Sequence, residues 1–138
     1  MRLEGGCYCG EIRYAAEADP LFKGQCHCRE CQYISGGNPN VVIGIPEPSF
    51  SYTKGAPKQF QRSDLESPVT RDFCPTCGTH LTTKAPEAPG AVIIKVGTLD
   101  DPSVFGSADT AIFTIDKQSF HHIPEGAAVF ERWPEPPG

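Results

Sequence analysis

Seven cysteines fall in three tight clusters, Cys7-x-Cys9, Cys26-x-Cys28-x2-Cys31 and Cys74-x2-Cys77. Thiols so closely spaced can converge on one metal ion. A zinc site closed by protein uses four ligands, whereas a reactive zinc keeps three and leaves one corner open. Seven cysteines divide as four plus three, which suggests one structural zinc and one reactive zinc.

Cys74-Pro75-Thr76-Cys77-Gly78 has the form of a zinc knuckle. Its turn places two sulfurs on one side, and Gly78 lets the backbone bend with its amide towards a sulfur. A knuckle supplies two ligands, so a second pair must come from elsewhere. Cys7-Tyr8-Cys9-Gly10 is the expected donor, because residues i and i+2 of an extended chain point to one face. This quartet would close a loop over half the chain. Structural zinc contributes about 10–16 kcal/mol of apparent folding free energy in finger peptides, as much as the whole stability of an ordinary domain, roughly 5–15 kcal/mol.

Cys26-His27-Cys28-Arg29-Glu30-Cys31 holds the other three thiols. One short segment can wrap them around an ion and leave a corner for water, hydroxide or an exogenous thiol. A thiol binding there would be deprotonated at neutral pH and able to attack a carbonyl. Two alternatives stand beside this. A fourth protein ligand could close the site, with His80 better placed than His121 or His122, and His27 badly placed between its neighbours. The trio could also stay unmetallated, or lose zinc readily, since three ligands hold an ion less firmly than four.

Other residues near the clusters have a chemical and a structural option each. Ser35-Gly36-Gly37-Asn38 could line the open coordination position or form an ordinary turn. Arg29 and Arg71 could meet a substrate carboxylate, with solvated surface the expectation. Gln32 could bond a ligand sulfur or lie at the surface. His80 could shuttle protons, but a structural histidine is expected. Asp100-Asp101-Pro102 is expected to form a turn. No Ser-His-Asp pattern, phosphate-cradling loop or carboxylate pair is evident.

At 138 residues the chain suits one domain. Its net charge of -5 and lack of a basic run argue against nucleic acid or an anionic membrane as main partner. Val41-Val42-Ile43 and Ala91-Val92-Ile93-Ile94 are far too short to cross a bilayer. A disulfide framework is disfavoured by the odd cysteine count, the tight spacing and a Met1–Gly6 segment without signal-peptide character. Reduced thiols point to the cytoplasm.

Glycine and proline, 14 each, punctuate the whole chain, as suits many short strands joined by turns. Strands are expected at Glu11–Ala15, Asn40–Ile45, Ser49–Thr53, Lys58–Gln61, Val69–Phe73, Leu81–Lys84, Ala91–Val96 and Ala111–Ile115, with no more than a helical turn or two after Cys28. The fold class is mainly β, with the domain over 1–132 and a Pro-rich tail over 133–138 that Trp133 could still anchor by docking on the body.

Gly5-Gly6-Cys7-Tyr8-Cys9-Gly10, Cys26-His27-Cys28-Arg29-Glu30-Cys31-Gln32 and Phe73-Cys74-Pro75-Thr76-Cys77-Gly78-Thr79 together resemble the glutathione-dependent formaldehyde-activating enzyme (GFA) family, which includes the centromere protein V group. Gly97-Thr98-Leu99-Asp100-Asp101-Pro102 and Ile123-Pro124-Glu125-Gly126 match further family segments. The resemblance implies a β-rich Mss4-like fold with two zinc ions per chain. Cys7, Cys9, Cys74 and Cys77 would bind the structural zinc; Cys26, Cys28 and Cys31 would bind the zinc that meets substrate. It also implies carbon–sulfur lyase chemistry on a small thiol such as glutathione, joining it to formaldehyde or the reverse, in a monomer or homodimer. Thr110-Ala111-Ile112-Phe113 lacks a histidine common in relatives, Phe120 stands where tryptophan is common, and the chain is shorter than the founding enzyme. The resemblance therefore fixes fold and metals better than substrate. The alternative is a non-catalytic, zinc-stabilised protein-interaction module.

Overall fold

A computed structural model describes residues 1–134. The apolar runs seen in the sequence become its central strands, β4 (Asn40–Pro46) and β9 (Ala91–Lys95). Continuous apolar strands are stable where both faces are covered, and every residue of β9 is buried. They pair antiparallel in the middle of an eight-stranded sheet. Its order is β11 (Ala128–Val129), β10 (Thr110–Ile112), β3 (Phe22–Cys26), β4, β9, β8 (His80–Lys84), β7 (Thr70–Phe73) and β6 (Lys58–Phe60). Neighbours are antiparallel except β10, which runs parallel to β3 and β11. A second sheet joins β1 (Arg2–Gly6), β2 (Arg13–Glu17) and β5 (Phe50–Lys54) in the order β1-β2-β5.

Side chains alternate across a strand, and that rule divides the large sheet. Ile43, Ile45, Val92 and Ile94 pack with Leu3, Ile12, Tyr14 and Ala16 of the β1-β2 side in the main core. Val42 and Ile93 point the other way and join Ala85 in a second cluster, with Phe22, Val69 and Trp133 packed on it. The pairing register puts Cys26 opposite Asn40 and Val42 opposite Lys95. The three-thiol cluster and Lys95 therefore share this second face.

The fold is mainly β with one α-helix, as expected. All eight expected strands form, with two displaced ends. Glu11–Ala15 moves to Arg13–Glu17, and Ala111–Ile115 stops at Ile112 because Phe113 takes a left-handed φ of 55° before a 3-10 turn at Thr114–Asp116. Strands β1, β3 and β11 were not expected. β1 carries Gly5 and Gly6, poor strand formers, yet a Cβ on Gly5 would collide with Thr98 O and Tyr14 Oη. Helix α1 (Arg29–Ser35) is the turn or two anticipated after Cys28.

Trp133 docks. It meets Phe113 edge-on, ring centroids 5.6 Å apart, and covers the Val42–Ile93 cluster. The rest of the expected tail, 135–138, lies outside the described residues. Among the described residues no helix is long and apolar enough to cross a membrane.

Candidate metal centres and the adjoining cavity

The sulfurs of Cys7, Cys9, Cys74 and Cys77 all lie within 4.8 Å of one another. Four sulfurs about 2.3 Å from a tetrahedral zinc would stand about 3.8 Å apart along each edge. Cys7 and Cys9 are 3.6 Å apart, and Cys9 and Cys74 are 3.7 Å apart. The donor set and its spacing fit zinc. Cys7 and Cys9 come together differently from the expectation: β1 ends at Gly6, and Cys7–Gly10 is a turn in which Gly10 N–H donates to Cys7 O at 3.1 Å. Gly78 repeats this with Cys74 O at 2.9 Å. Both glycines have positive φ, 83° and 78°, which only glycine adopts freely. Gly78 N–H thus faces a carbonyl instead of a sulfur. The amides that reach sulfur are Ile12 N–H to Cys7 at 3.2 Å and Cys77 N–H to Cys74 at 3.5 Å. The Thr79 hydroxyl and amide push the Cys77 thiol down to about 6.

The sulfurs of Cys26, Cys28 and Cys31 also lie within 4.8 Å of one another. Cys26 ends β3, Cys28 caps α1 with its sulfur accepting from Cys31 N–H at 3.2 Å, and Cys31 lies in the first helical turn. A strand end running into a capped helix thus folds one segment around a point. Asn40 Nδ2 donates to Cys31 Sγ at 3.8 Å. Hydrogen bonds from Cys26 and Cys28 push the Cys31 thiol down to about 3, aided by the Lys95 charge and Asn40. The same sharing pushes Cys26 up. Three thiols that already favour a thiolate at their centre fit a metal ion.

No histidine or carboxylate joins this trio among the described residues. His27 is fully buried and turned away. His121 Nδ1 accepts from Gln118 N–H at 3.2 Å, and its Nε2–H donates to Gly37 O at 2.7 Å. His27 must then donate through Nδ1–H to His121 Nδ1 at 2.9 Å, and its Nε2 accepts from the Gln25 amide at 3.0 Å. Burial and the neighbouring His121 push His27 down to about 4. Both rings are taken up by these hydrogen bonds. His122 is exposed and uses only its carbonyl, which accepts from Gln25 at 2.8 Å. His80 lies half-buried against Phe73, ring centroids 5.6 Å apart, outside the cluster.

The trio borders a cavity of about 430 Å³, within the range of roughly 300–1,000 Å³ that small-molecule sites occupy. Val42, Ile93, Phe113 and Trp133 supply apolar wall. Lys95 also lines it, although only 7% exposed. Its Nζ donates to Thr83 Oγ1 at 3.1 Å and forms no ion pair among the described residues. Burial pushes Lys95 down to about 8, with the nearby Cys31 opposing. Arg71 is likewise buried and pairs with Glu30 at 2.8 Å, against the expectation of solvated surface. Alternation on β7 sets residue 71 opposite Thr83, on the cavity face.

Arg29 is exposed as expected, stacked over Tyr33 and donating to Gln32 Oε1. Gln32 is buried, and no sulfur is among its partners: its amide donates to His27 O at 2.9 Å and Asp116 O at 3.0 Å, tying α1 to the body. Ser35–Asn38 is the helix end, with Gly36 left-handed at φ 86°, and does not line the cavity. Asp101 accepts from Ser103 N–H at 3.1 Å in the anticipated turn, and Asp100 pairs with Arg13. Asn40 and Lys95 were missed. A lysine inside Ala91-Val92-Ile93-Ile94-Lys95-Val96 was the available signal, since buried lysines are rare without a task.

A model of the family described as glutathione-dependent formaldehyde-activating enzyme matches residues 2–116. Among curated proteins no relative matches the sequence. The crystal structure of a Rhodobacter sphaeroides protein, a structural genomics target, is similar in fold with a TM-score of 0.60 at 18% identity, over 76% of this chain and 96% of that one. With most of its length matched, the chain belongs to the glutathione-dependent formaldehyde-activating enzyme family.

Proposed function

We propose that the protein is a zinc-dependent carbon–sulfur lyase that forms or cleaves the adduct of a small thiol with an aldehyde. Glutathione and formaldehyde are the pair suggested by the family description. Cys7, Cys9, Cys74 and Cys77 would hold a structural zinc, and Cys26, Cys28 and Cys31 a reactive one. The observation that carries this is the trio itself: three convergent thiols without a fourth protein ligand, opening on a cavity of ligand size. When bound, zinc supplies a Lewis-acid centre at which a thiol is acidified. In the forward direction the thiol sulfur bonds to the aldehyde carbon, the carbonyl π pair moves to oxygen, and that oxygen takes up the proton the thiol gave up. No other co-reactant is needed.

The chain's own residues divide the remaining work. The trio fixes the position of the sulfur, and the apolar wall keeps water from competing for the aldehyde. Lys95 and the Asn40 amide offset the negative charge gathered by three thiolates. Seven free cysteines suit a reducing compartment such as the cytoplasm.

The test is a zinc-loaded preparation mixed with glutathione and 13C-formaldehyde, followed by exchange NMR of the hydroxymethyl carbon. Interconversion should be faster than in buffer and return to the uncatalysed rate in Cys28→Ser, with about one zinc retained per chain. A Cys28→Ser protein as fast as the parent would refute the assignment. Two bound zinc ions with neither turnover nor thiol binding would leave an interaction module.

A further inference from the structure

The four-cysteine site is assembled from two turns, Cys7–Gly10 and Cys74–Thr79, which share no backbone–backbone hydrogen bond among the described residues. Thr79 is where they meet. Gly78, left-handed at φ 78°, turns the chain so that Thr79 O accepts from Cys74 N–H at 2.9 Å and closes the knuckle. The Thr79 hydroxyl then accepts from Tyr8 N–H at 3.1 Å, between Cys7 and Cys9 and 71 residues away in sequence. With one lone pair so engaged, its proton is free to point at Cys77 Sγ, also 3.1 Å away. A metal-bound thiolate has no proton to give, so in the loaded site the hydroxyl is the donor. Between residues 7–12 and 74–79 the other hydrogen bond without a sulfur is Thr76 to Glu11, and it is exposed.

We propose that the Thr79 hydroxyl is a positioning group of this metal centre: it clamps the Cys7–Cys9 turn to the knuckle, orients Cys77 Sγ, and thereby sets how slowly the centre releases its metal. Water can serve the Tyr8 amide or the Cys77 sulfur singly, but it does not tie the two turns to the backbone of the knuckle as Thr79 does. The proposal concerns the quartet alone and stands whether or not the trio is reactive. Two substitutions separate the hydroxyl from the bulk of the side chain. Valine keeps the methyl and the shape and loses the hydroxyl; serine does the reverse.

Zinc release to excess chelator tests this with no substrate, in the Cys28→Ser background so that the quartet is the site read. Thr79→Val should release zinc about ten- to a hundredfold faster, the size of affinity loss usual when a ligand's hydrogen-bond partner is removed. Thr79→Ser should release it close to the parent rate. With cobalt(II) in place of zinc, the sulfur-to-metal charge-transfer band should move to lower energy in Thr79→Val, because a thiolate without its hydrogen bond gives up charge more readily. The band should stay in place in Thr79→Ser. Unchanged release in Thr79→Val, a serine variant as fast as the valine one, or faster release with an unmoved band would overturn the proposal. If Thr79→Val does not fold with zinc, Thr79→Ser decides: a folded serine variant with the parent band supports the hydroxyl, and any other serine result overturns it.

Discussion

Cys74→Ser should cost the fold much more than Cys28→Ser, although each removes one thiol from a cluster. The sulfurs of Cys9 and Cys74 meet across 65 residues of sequence, so metal bound there closes a loop of nearly half the chain. Chain-entropy arithmetic for a cross-link over such a loop gives about 4 kcal/mol at 25 °C, whereas the few residues from Cys26 to Cys31 give about 2. For a domain of this size each kcal/mol moves the melting temperature by about 3–4 °C. From chain entropy alone, losing the long closure should lower it by at least roughly 12–16 °C, and losing the short one by about half as much. Cys74 is also fully buried in the main core beside Leu81, and a hydroxyl left there without a partner adds to its cost. The assay is thermal unfolding of the zinc-loaded parent and both variants, with metal content measured on the same samples. Each variant should retain about one zinc, and the melting temperatures should rank parent, Cys28→Ser, Cys74→Ser. Equal losses for the two variants, or a Cys74→Ser protein that melts with the parent, would refute the division into an architectural quartet and a local trio.

Two further outcomes follow from the packing. His27 sits neutral at a pKa of about 4 against an ordinary 6.5, so the unfolded chain binds more protons between those values. Its contribution is complete above pH 6.5 and declines as pH falls towards 4, with about 2 kcal/mol lost by pH 5. NMR of the imidazoles in the zinc-loaded protein should show His27 uncharged and Nδ1-protonated at pH 6, and a midpoint near 6.5 would contradict the buried pair. Gly44→Ala should destabilise by about 1–3 kcal/mol through overpacking. Its new Cβ would collide with the Phe22 ring, which borders the cavity; denaturant unfolding measures the loss, and an unchanged midpoint would show that Phe22 is free to move.

The grouping of the thiols was legible because much of it is local in sequence. Cysteine spacing is a covalent fact, so four-plus-three could be counted before any fold was known, and the apolar runs around Ile43 and Ile93 could be read as central strands. β1 and β3 were not legible, because Gly5 and Gly24 lack strand propensity and are required by what approaches them, Tyr14 and Thr98 in one case and Thr110 in the other. Those contacts join residues far apart in the chain. The same holds for the buried state of Arg71, the pairing of His27 with His121 across 94 residues, and the position of Lys95 beside the trio. Sequence determined which donors exist and how they group. Tertiary structure decided which side chains face them, because the pairing register and the period-two alternation of β4, β7 and β9 assign each residue to a face, and no local pattern encodes register between distant strands.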